Sequence, residues 1–209
     1  EWAEKHDAWR LQMGDQLENS SKECVGAGVY EQIMNPDDQK YRIVELLEPY
    51  KDRCLRLLTG NHEERTFKQS GHDPSRAMAK MLDVPYLRYG AFLRLLVNGV
   101  GYTVYATHGG SGAATSAGKL NAVKKLASWA DADIYLMGHM HDLIVDSQIR
   151  KVLDLRNKVV RDKRTTFCVT GSFLNYEDSY SEMKCYSPGR IGSPRIRLSG
   201  ESEDCHVSL

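Results

Sequence analysis

Ile134-Tyr135-Leu136-Met137-Gly138-His139-Met140-His141 places four apolar residues before a glycine and two histidines spaced two apart. The apolar run reads as a short buried strand, and the glycine lets the backbone turn sharply at its end. Three other stretches repeat the pattern. Trp9-Arg10-Leu11-Gln12-Met13 runs into Gly14-Asp15-Gln16-Leu17-Glu18, and Cys54-Leu55-Arg56-Leu57-Leu58 runs toward Gly60-Asn61-His62-Glu63. Tyr102 to Thr107 leads into His108-Gly109-Gly110. Open α/β sheets collect their sites beyond the carboxyl ends of strands. The four polar clusters are therefore expected in loops that converge at one edge of the fold.

The segments between them fill out an α/β chain. Residues 1–7 read as the end of a helix, and Tyr41 to Tyr50 has helical spacing through Ile43, Leu46, Leu47 and Tyr50. Asp73 to Leu82 is expected as a helix with Asp73 as N-cap and Pro74 at its first position. A further helix is expected from about Ala117 to Ala130. Strands Ala91–Val97 and Tyr102–Thr107 flank Asn98-Gly99-Val100-Gly101, a hairpin signal. Leu143–Leu153 and Arg164–Val169 read as strands, and Ile196-Arg197-Leu198 as an edge strand. Residues 19–38, with Gly26, Gly28 and Pro36, read as a polar excursion holding one helical turn. Helices between some strands and hairpins between others predict mixed sheets in an α/β sandwich, not a purely parallel sheet. No repeat or linker divides the chain, so residues 1–209 are expected as a single domain, with 170–209 as its C-terminal strand and tail.

Composition narrows the function classes. The 209 residues are 41% hydrophobic and 27% charged, which sets aside disordered and fibrous classes. Lys plus Arg and Asp plus Glu number 28 each, so the basic surplus usual in nucleic-acid binders is missing. Arg150, Lys151, Arg156, Lys158, Arg161, Lys163 and Arg164 form one local basic stretch, favoured as a solvated hairpin over a groove lining. No apolar run has the length of a membrane span, and the opening residues do not read as a secretory signal. Cys24, Cys54, Cys168, Cys185 and Cys205 form no CxxC pair and read as reduced cytoplasmic thiols, with Cys54 and Cys168 in apolar runs.

One site built from the four clusters would hold a carboxylate able to bridge two cations (Asp15), a neutral oxygen (Asn61) and three imidazoles (His108, His139, His141). Mixed oxygen and nitrogen donors suit Mn, Fe, Zn or Ni better than Ca or Mg. Two such ions about 3.5–4 Å apart clamp a phosphoryl group. His6, His72 and His206 have no such context and read as surface residues.

GD-x-x-E, GNHE, THGG and GHMH, in that order over about residues 9–142, resemble the calcineurin-like metallophosphoesterase superfamily. The stretch TGSFLNYEDSYSEMK from Thr170 is similar in style to phage and prophage members. The resemblance implies a four-layer α/β/β/α sandwich of two mixed sheets and a site for two divalent transition-metal ions. It implies that Asp15 bridges both ions, that Asn61, His108 and His139 complete the second, and that His141 binds the first. His62 would face the substrate and either protonate the leaving group or steady charge on the phosphoryl oxygens, and Glu18 stands where some members place an acid that orients that ring. The family's opening Asp-x-His strand is absent, since Lys5-His6-Asp7 has the wrong order. It is expected upstream of Glu1. The implied activity is hydrolysis of a phosphomonoester or phosphodiester substrate. A nuclease of the same superfamily and a degenerate, non-catalytic scaffold are the alternatives.

Overall fold

In a computed structural model the described residues are 2–21 and 32–209. Cys24, Gly26, Gly28 and the middle of the polar excursion lie outside them. The chain is mixed α/β, built on a five-stranded mixed sheet with helices.

Helix α1 (Trp2–Lys5) leads to strand β1 (Arg10–Gln12). Helix α2 spans Pro36–Leu47 and tightens into a 3-10 turn through Arg53. It therefore starts before the Tyr41 expected from periodicity. Asn35 caps it by accepting hydrogen bonds from the N–H groups of Asp37 and Asp38, both at 3.0 Å, and Pro36 occupies the first position. Of the expected apolar spacing, Ile43 and Leu47 pack against the core while Leu46 is exposed, and the start signal lay in the polar stretch.

Strand β2 (Cys54–Leu57) pairs in parallel with β1. Helix α3 (Asn61–Ser70) follows. This corrects the expectation that every cluster lies in a loop, because Asn61, His62 and Glu63 form the first turn of α3. Its sequence, NHEERTFKQS, is polar almost throughout and so carries no apolar stripe to read. Helix α4 (Pro74–Leu82) has Asp73 as its N-cap, accepting from the Arg76 N–H at 2.9 Å.

Strands β3 (Gly90–Val97) and β4 (Val100–Thr107) form an antiparallel hairpin. Its turn is only Asn98-Gly99, at φ of 47° and 88°, so Val100 and Gly101 belong to the strand. Helix α5 (Ser116–Lys125), β5 (Ile134–Met137), β6 (Leu143–Asp154) and β7 (Val159–Thr170) follow. The strand order is β3-β4-β5-β7-β6, with β4, β5 and β7 parallel and a hairpin at each edge. Within β7 only Thr166–Val169 pair with β5, so Ile149–Arg164 run on as a two-stranded arm. A short helix α6 (Tyr180–Met183) precedes β8 (Arg195–Leu198). That strand pairs with β9 (Cys205–Ser208), which weak alternation had hidden. Tyr102 Oη lies 2.7–2.9 Å from the carbonyl oxygens of Ser199, Ser202 and Asp204 and ties down this last turn.

Burial falls into three clusters. On one face of the five-stranded sheet, Tyr135, Met137, Phe167 and Val169 pack with Val123 and Leu126 from the α5 region. On the other, Leu93, Val104, Ala106, Ile134, Leu136 and Cys168 meet Leu58, Leu11 and Met13, with Ile196, Leu198 and Val207 from the terminal hairpin. The third joins Leu17 and Leu57 to Met78, Ala79 and Leu82 of α4 and to Ile43, Val44 and Leu47 of α2. Among the described residues no helix is long and apolar enough to cross a membrane.

Candidate metal centre

Four strands end at the same place. Asp15 follows β1, Asn61 follows β2 at the start of α3, His108 follows β4 and His139 follows β5. One ligand atom each from Asp15, His108 and His139 lie within 4.8 Å of one another. Asn61 Oδ1 is 3.0 Å from His108 Nε2 and 2.7 Å from His139 Nδ1, and Asp15 Oδ2 is 3.3 Å from His108 Nε2. The structure thus brings together Asp15, Asn61, His108 and His139, drawn from four separate segments.

The donor atoms of this contact could hold a cation. His108 Nδ1 lies 2.8 Å from the carbonyl oxygen of Met13, which can only accept, so Nδ1 carries the hydrogen. The Nε2 lone pair of the neutral ring then faces Asn61 Oδ1 and Asp15 Oδ2. Lone pairs that converge in this way are satisfied by a cation or by a proton, and a carbonyl behind the ring is the usual way to orient a metal-binding imidazole. The titration behaviour agrees. Burial opposes the charge on Asp15, yet its hydrogen bond to His108 and the neighbouring imidazoles outweigh burial and hold its carboxyl at about 2. Burial likewise opposes charge on His108, and the bond to Asp15 overrides it and raises the imidazole. His139 and His141 are both lowered, chiefly by burial, which leaves them as neutral nitrogen donors.

The backbone is bent to make this possible. Asp15, His139 and His141 all adopt positive φ, at 52°, 64° and 49°. Asp and His tolerate this region better than most residues, and such strain typically costs about 1–3 kcal/mol per residue. Close approach matters at Gly60, where a Cβ atom would fall on the Asp15 carboxylate.

His62 and Glu18 stand beside the cluster. The His62 N–H donates to Asp15 Oδ1 at 3.0 Å, and its Nε2 is 3.7 Å from Asp15 Oδ2. Its Nδ1 is 3.2 Å from the Leu17 carbonyl oxygen and 3.7 Å from Glu18 Oε2. The Leu17 carbonyl is the nearer partner, and 3.7 Å is too long for a hydrogen bond to Glu18. His141 lines the same cleft as Asp15, Asn61, His62 and His139 but is not one of the three converging side chains. The cleft has a volume of about 310 Å³. His6, His72 and His206 are exposed, away from it.

Two supporting residues escaped sequence reading. Glu63 is fully buried, and its carboxylate accepts hydrogen bonds from the N–H groups of Gly60 (2.9 Å), Asp15 (3.1 Å) and Leu17 (3.0 Å). Asn19, also buried, donates to the His62 carbonyl and accepts from Thr66 Oγ1 at 3.0 Å. Glu63 belongs to the quoted GNHE cluster, so its spacing from Gly60 was a usable capping signal. Asn19 carried no comparable signal.

The basic stretch lies elsewhere. It forms the β6–β7 arm, whose tip is 12 residues of strand beyond Leu143, roughly 35–40 Å at strand rise. Lys151 and Arg161 pair with Asp162 and Asp154 within it, Lys163 with Asp133, and Arg164 with Asp204. A scan against protein-family models and a search of the curated proteins return no match to this chain.

Proposed function

We propose that the chain is a metal-dependent phosphoester hydrolase of the calcineurin-like metallophosphoesterase type, acting on a phosphomonoester or phosphodiester. The observation that carries this reading is the convergence of Asp15, Asn61, His108 and His139 at the ends of four strands. The two separate strand pairs β1–β2 and β8–β9 both pack apolar side chains on one face of the five-stranded sheet while the α5 region covers the other, which supports an α/β/β/α arrangement. Free Cys54, Cys168, Cys185 and Cys205 suit a cytoplasmic setting.

One carboxylate, one amide oxygen and two imidazoles fit a divalent transition ion such as Mn, Fe, Zn or Ni. Asp15, Asn61, His108 and His139 would hold it, and Asp15 with His141 would contribute to a second. Such ions, when bound, neutralise phosphoryl charge and acidify water to a nucleophile near neutral pH. The residues do the rest. Asp15 stays ionised across the working pH range. His62 stands next to Asp15, where its Nε2 can deliver a proton to a leaving oxygen while the Leu17 carbonyl holds Nδ1. Glu18 places its carboxylate 3.7 Å behind that ring, on the side away from Asp15. The three N–H bonds to Glu63 keep the Asp15 and Gly60 turns in register during turnover.

The nuclease alternative draws no support from the basic arm, which projects from the far end of the sheet and spends much of its charge on internal pairs. Release of nitrophenol from p-nitrophenyl phosphate and bis-p-nitrophenyl phosphate, with Mn, Fe, Zn or Ni added in turn, tests the proposal. Turnover that needs the metal and stops with chelator is expected. Absence of turnover with every metal would leave the scaffold alternative standing.

A further inference from the structure

Beyond the ligand cluster, the cleft is walled by two elements that carry positive charge. The first is α3. Arg65 lies four residues after Asn61 and three after His62, on the same helix face and one turn, about 6 Å, further along. The second is the strap between β7 and β8. Its stem closes where the Gly192 N–H donates to the Ser172 carbonyl at 2.9 Å. Its backbone presses on the His139–His141 turn so closely that a Cβ at Gly189 would lie 2.6 Å from the His141 carbonyl oxygen. Arg190 is the next residue, and Tyr176 and Tyr186 of the strap line the same cleft.

The charges there do not cancel. Lys119, the third cation of the wall, is paired with Asp142 at 3.2 Å. Arg65 has a single long contact, 3.3 Å from Nη1 to the Glu18 carbonyl oxygen, and among the described residues neither Arg65 nor Arg190 has a carboxylate partner. The acids of the wall are Asp15, committed to the ligand cluster, and Glu18, whose carboxylate accepts from Ser20 Oγ at 3.1 Å and faces His62. Two arginines are thus left over in a concave site, Arg65 one turn of α3 beyond Asn61 and Arg190 on the strap beside the His139–His141 turn. Guanidinium groups in such a place favour a further anion.

We infer that Arg65 and Arg190 form a second anion subsite, so that the substrate is a small phosphoester bearing a second phosphate or a carboxylate on its non-reacting end. This rests on the hydrolase reading above. A cleft of about 310 Å³ is at the small end of the range for small-molecule ligands, which fits a metabolite-sized diacid better than a phosphoprotein surface.

The test uses the full 209-residue chain and alkyl phosphomonoesters of matched chain length ending in hydroxyl, carboxylate or a second phosphate. Phosphate release is followed for the wild type, Arg65→Gln, Arg65→Lys and Arg190→Gln. In the wild type, kcat/KM for the charged ends should exceed that for the hydroxyl end by roughly tenfold or more, the usual gain from charge-assisted hydrogen bonds, after correction for the two equivalent ends of the bisphosphate. The carboxylate and phosphate arms separate the two sources of the anion. Either glutamine variant should erase most of that preference, and Arg65→Lys should keep part of it. Equal kcat/KM for all three ends, or glutamine variants that slow all three alike, would overturn the inference. If none of the three is turned over, the hydrolase reading fails, and calorimetry with inorganic pyrophosphate decides the subsite separately. Binding weakened by both glutamine variants supports it, and binding unchanged by them overturns it.

Discussion

Glu63 accepts a hydrogen bond from the backbone N–H of Asp15 at 3.1 Å, across 48 residues of sequence. The same carboxylate holds Gly60 and Leu17, so one buried side chain fixes the turn after β1 to the turn after β2. Burial, and then the nearby charge of Asp15, push its own carboxyl up from the ordinary range, and the backbone N–H groups of Gly60, Leu17 and Glu63 itself work against that. In Glu63→Gln the amide nitrogen must face at least one of these donors. The expected result is a loss of about 1–3 kcal/mol of stability, the cost of an unsatisfied buried group, together with weaker metal binding although no ligand has changed. Chemical denaturation and metal titration of the variant check this. An unchanged midpoint and affinity would show that the turns hold themselves.

Asp15→Asn and His139→Ala are each expected to abolish tight divalent-ion binding and phosphoester turnover while leaving the fold in place. An amide is a poor replacement for a carboxylate at a cation, and His139 supplies one of the two imidazoles of the cluster. Elemental analysis and circular dichroism would show the two effects separately. The metal-free Asp15 variant should also differ in acid. The Asp15 carboxyl is lowered from 3.8 to about 2 in the folded chain, so its contribution to stability is present above pH 3.8 and lost as pH falls through about 2. Asp15→Asn lacks that contribution, and its acid melting curve should be flatter over the same window.

His62→Ala should keep the metal and lower kcat. Its side chain is not among the converging ligands, and its ring is held by the Leu17 carbonyl. A positioned proton donor contributes about 10²–10⁴-fold. The deficit should be larger for an alkoxide leaving group than for nitrophenolate, which needs little protonation. Equal deficits on both would assign His62 to holding the phosphoryl group.

Reversing charge on the arm, with Arg150→Glu, Arg156→Glu and Lys158→Glu together, should leave phosphoester turnover unchanged. These residues lie on a hairpin that leaves the sheet at the end opposite His141, and exposed substitutions generally shift stability by no more than about 0.5 kcal/mol each. Steady-state kinetics checks this, and a marked loss of turnover would place the arm in the substrate path.

Much of the ligand cluster could be read from the chain because strand ends and glycines punctuate it. Asp15, Asn61, His108 and His139 each follow an apolar run, and periodicity places such runs well. The hairpin at Asn98-Gly99 and the cap at Asp73 were legible for similar local reasons. Helix α3 was not, because its buried contacts are polar. It is anchored by Glu63 and by the Asn19 side chain, and a hydrophobic pattern cannot register either. The β8–β9 pair was half hidden, since β9 gains its place from Tyr102, about a hundred residues away. Strand β6 was legible almost to its last residue, but the first half of β7 was not, because Val159–Lys163 pair only with β6 and carry charge where sheet strands carry a core.

The most direct test is anomalous diffraction at the manganese edge from crystals of the chain grown with Mn²⁺. A peak is expected among Asp15, Asn61 Oδ1, His108 Nε2 and His139 Nδ1, at about 2.0–2.3 Å from each donor, as for first-row ions with such ligands. Manganese bound elsewhere with this cluster empty, at a concentration that supports turnover, would contradict the account.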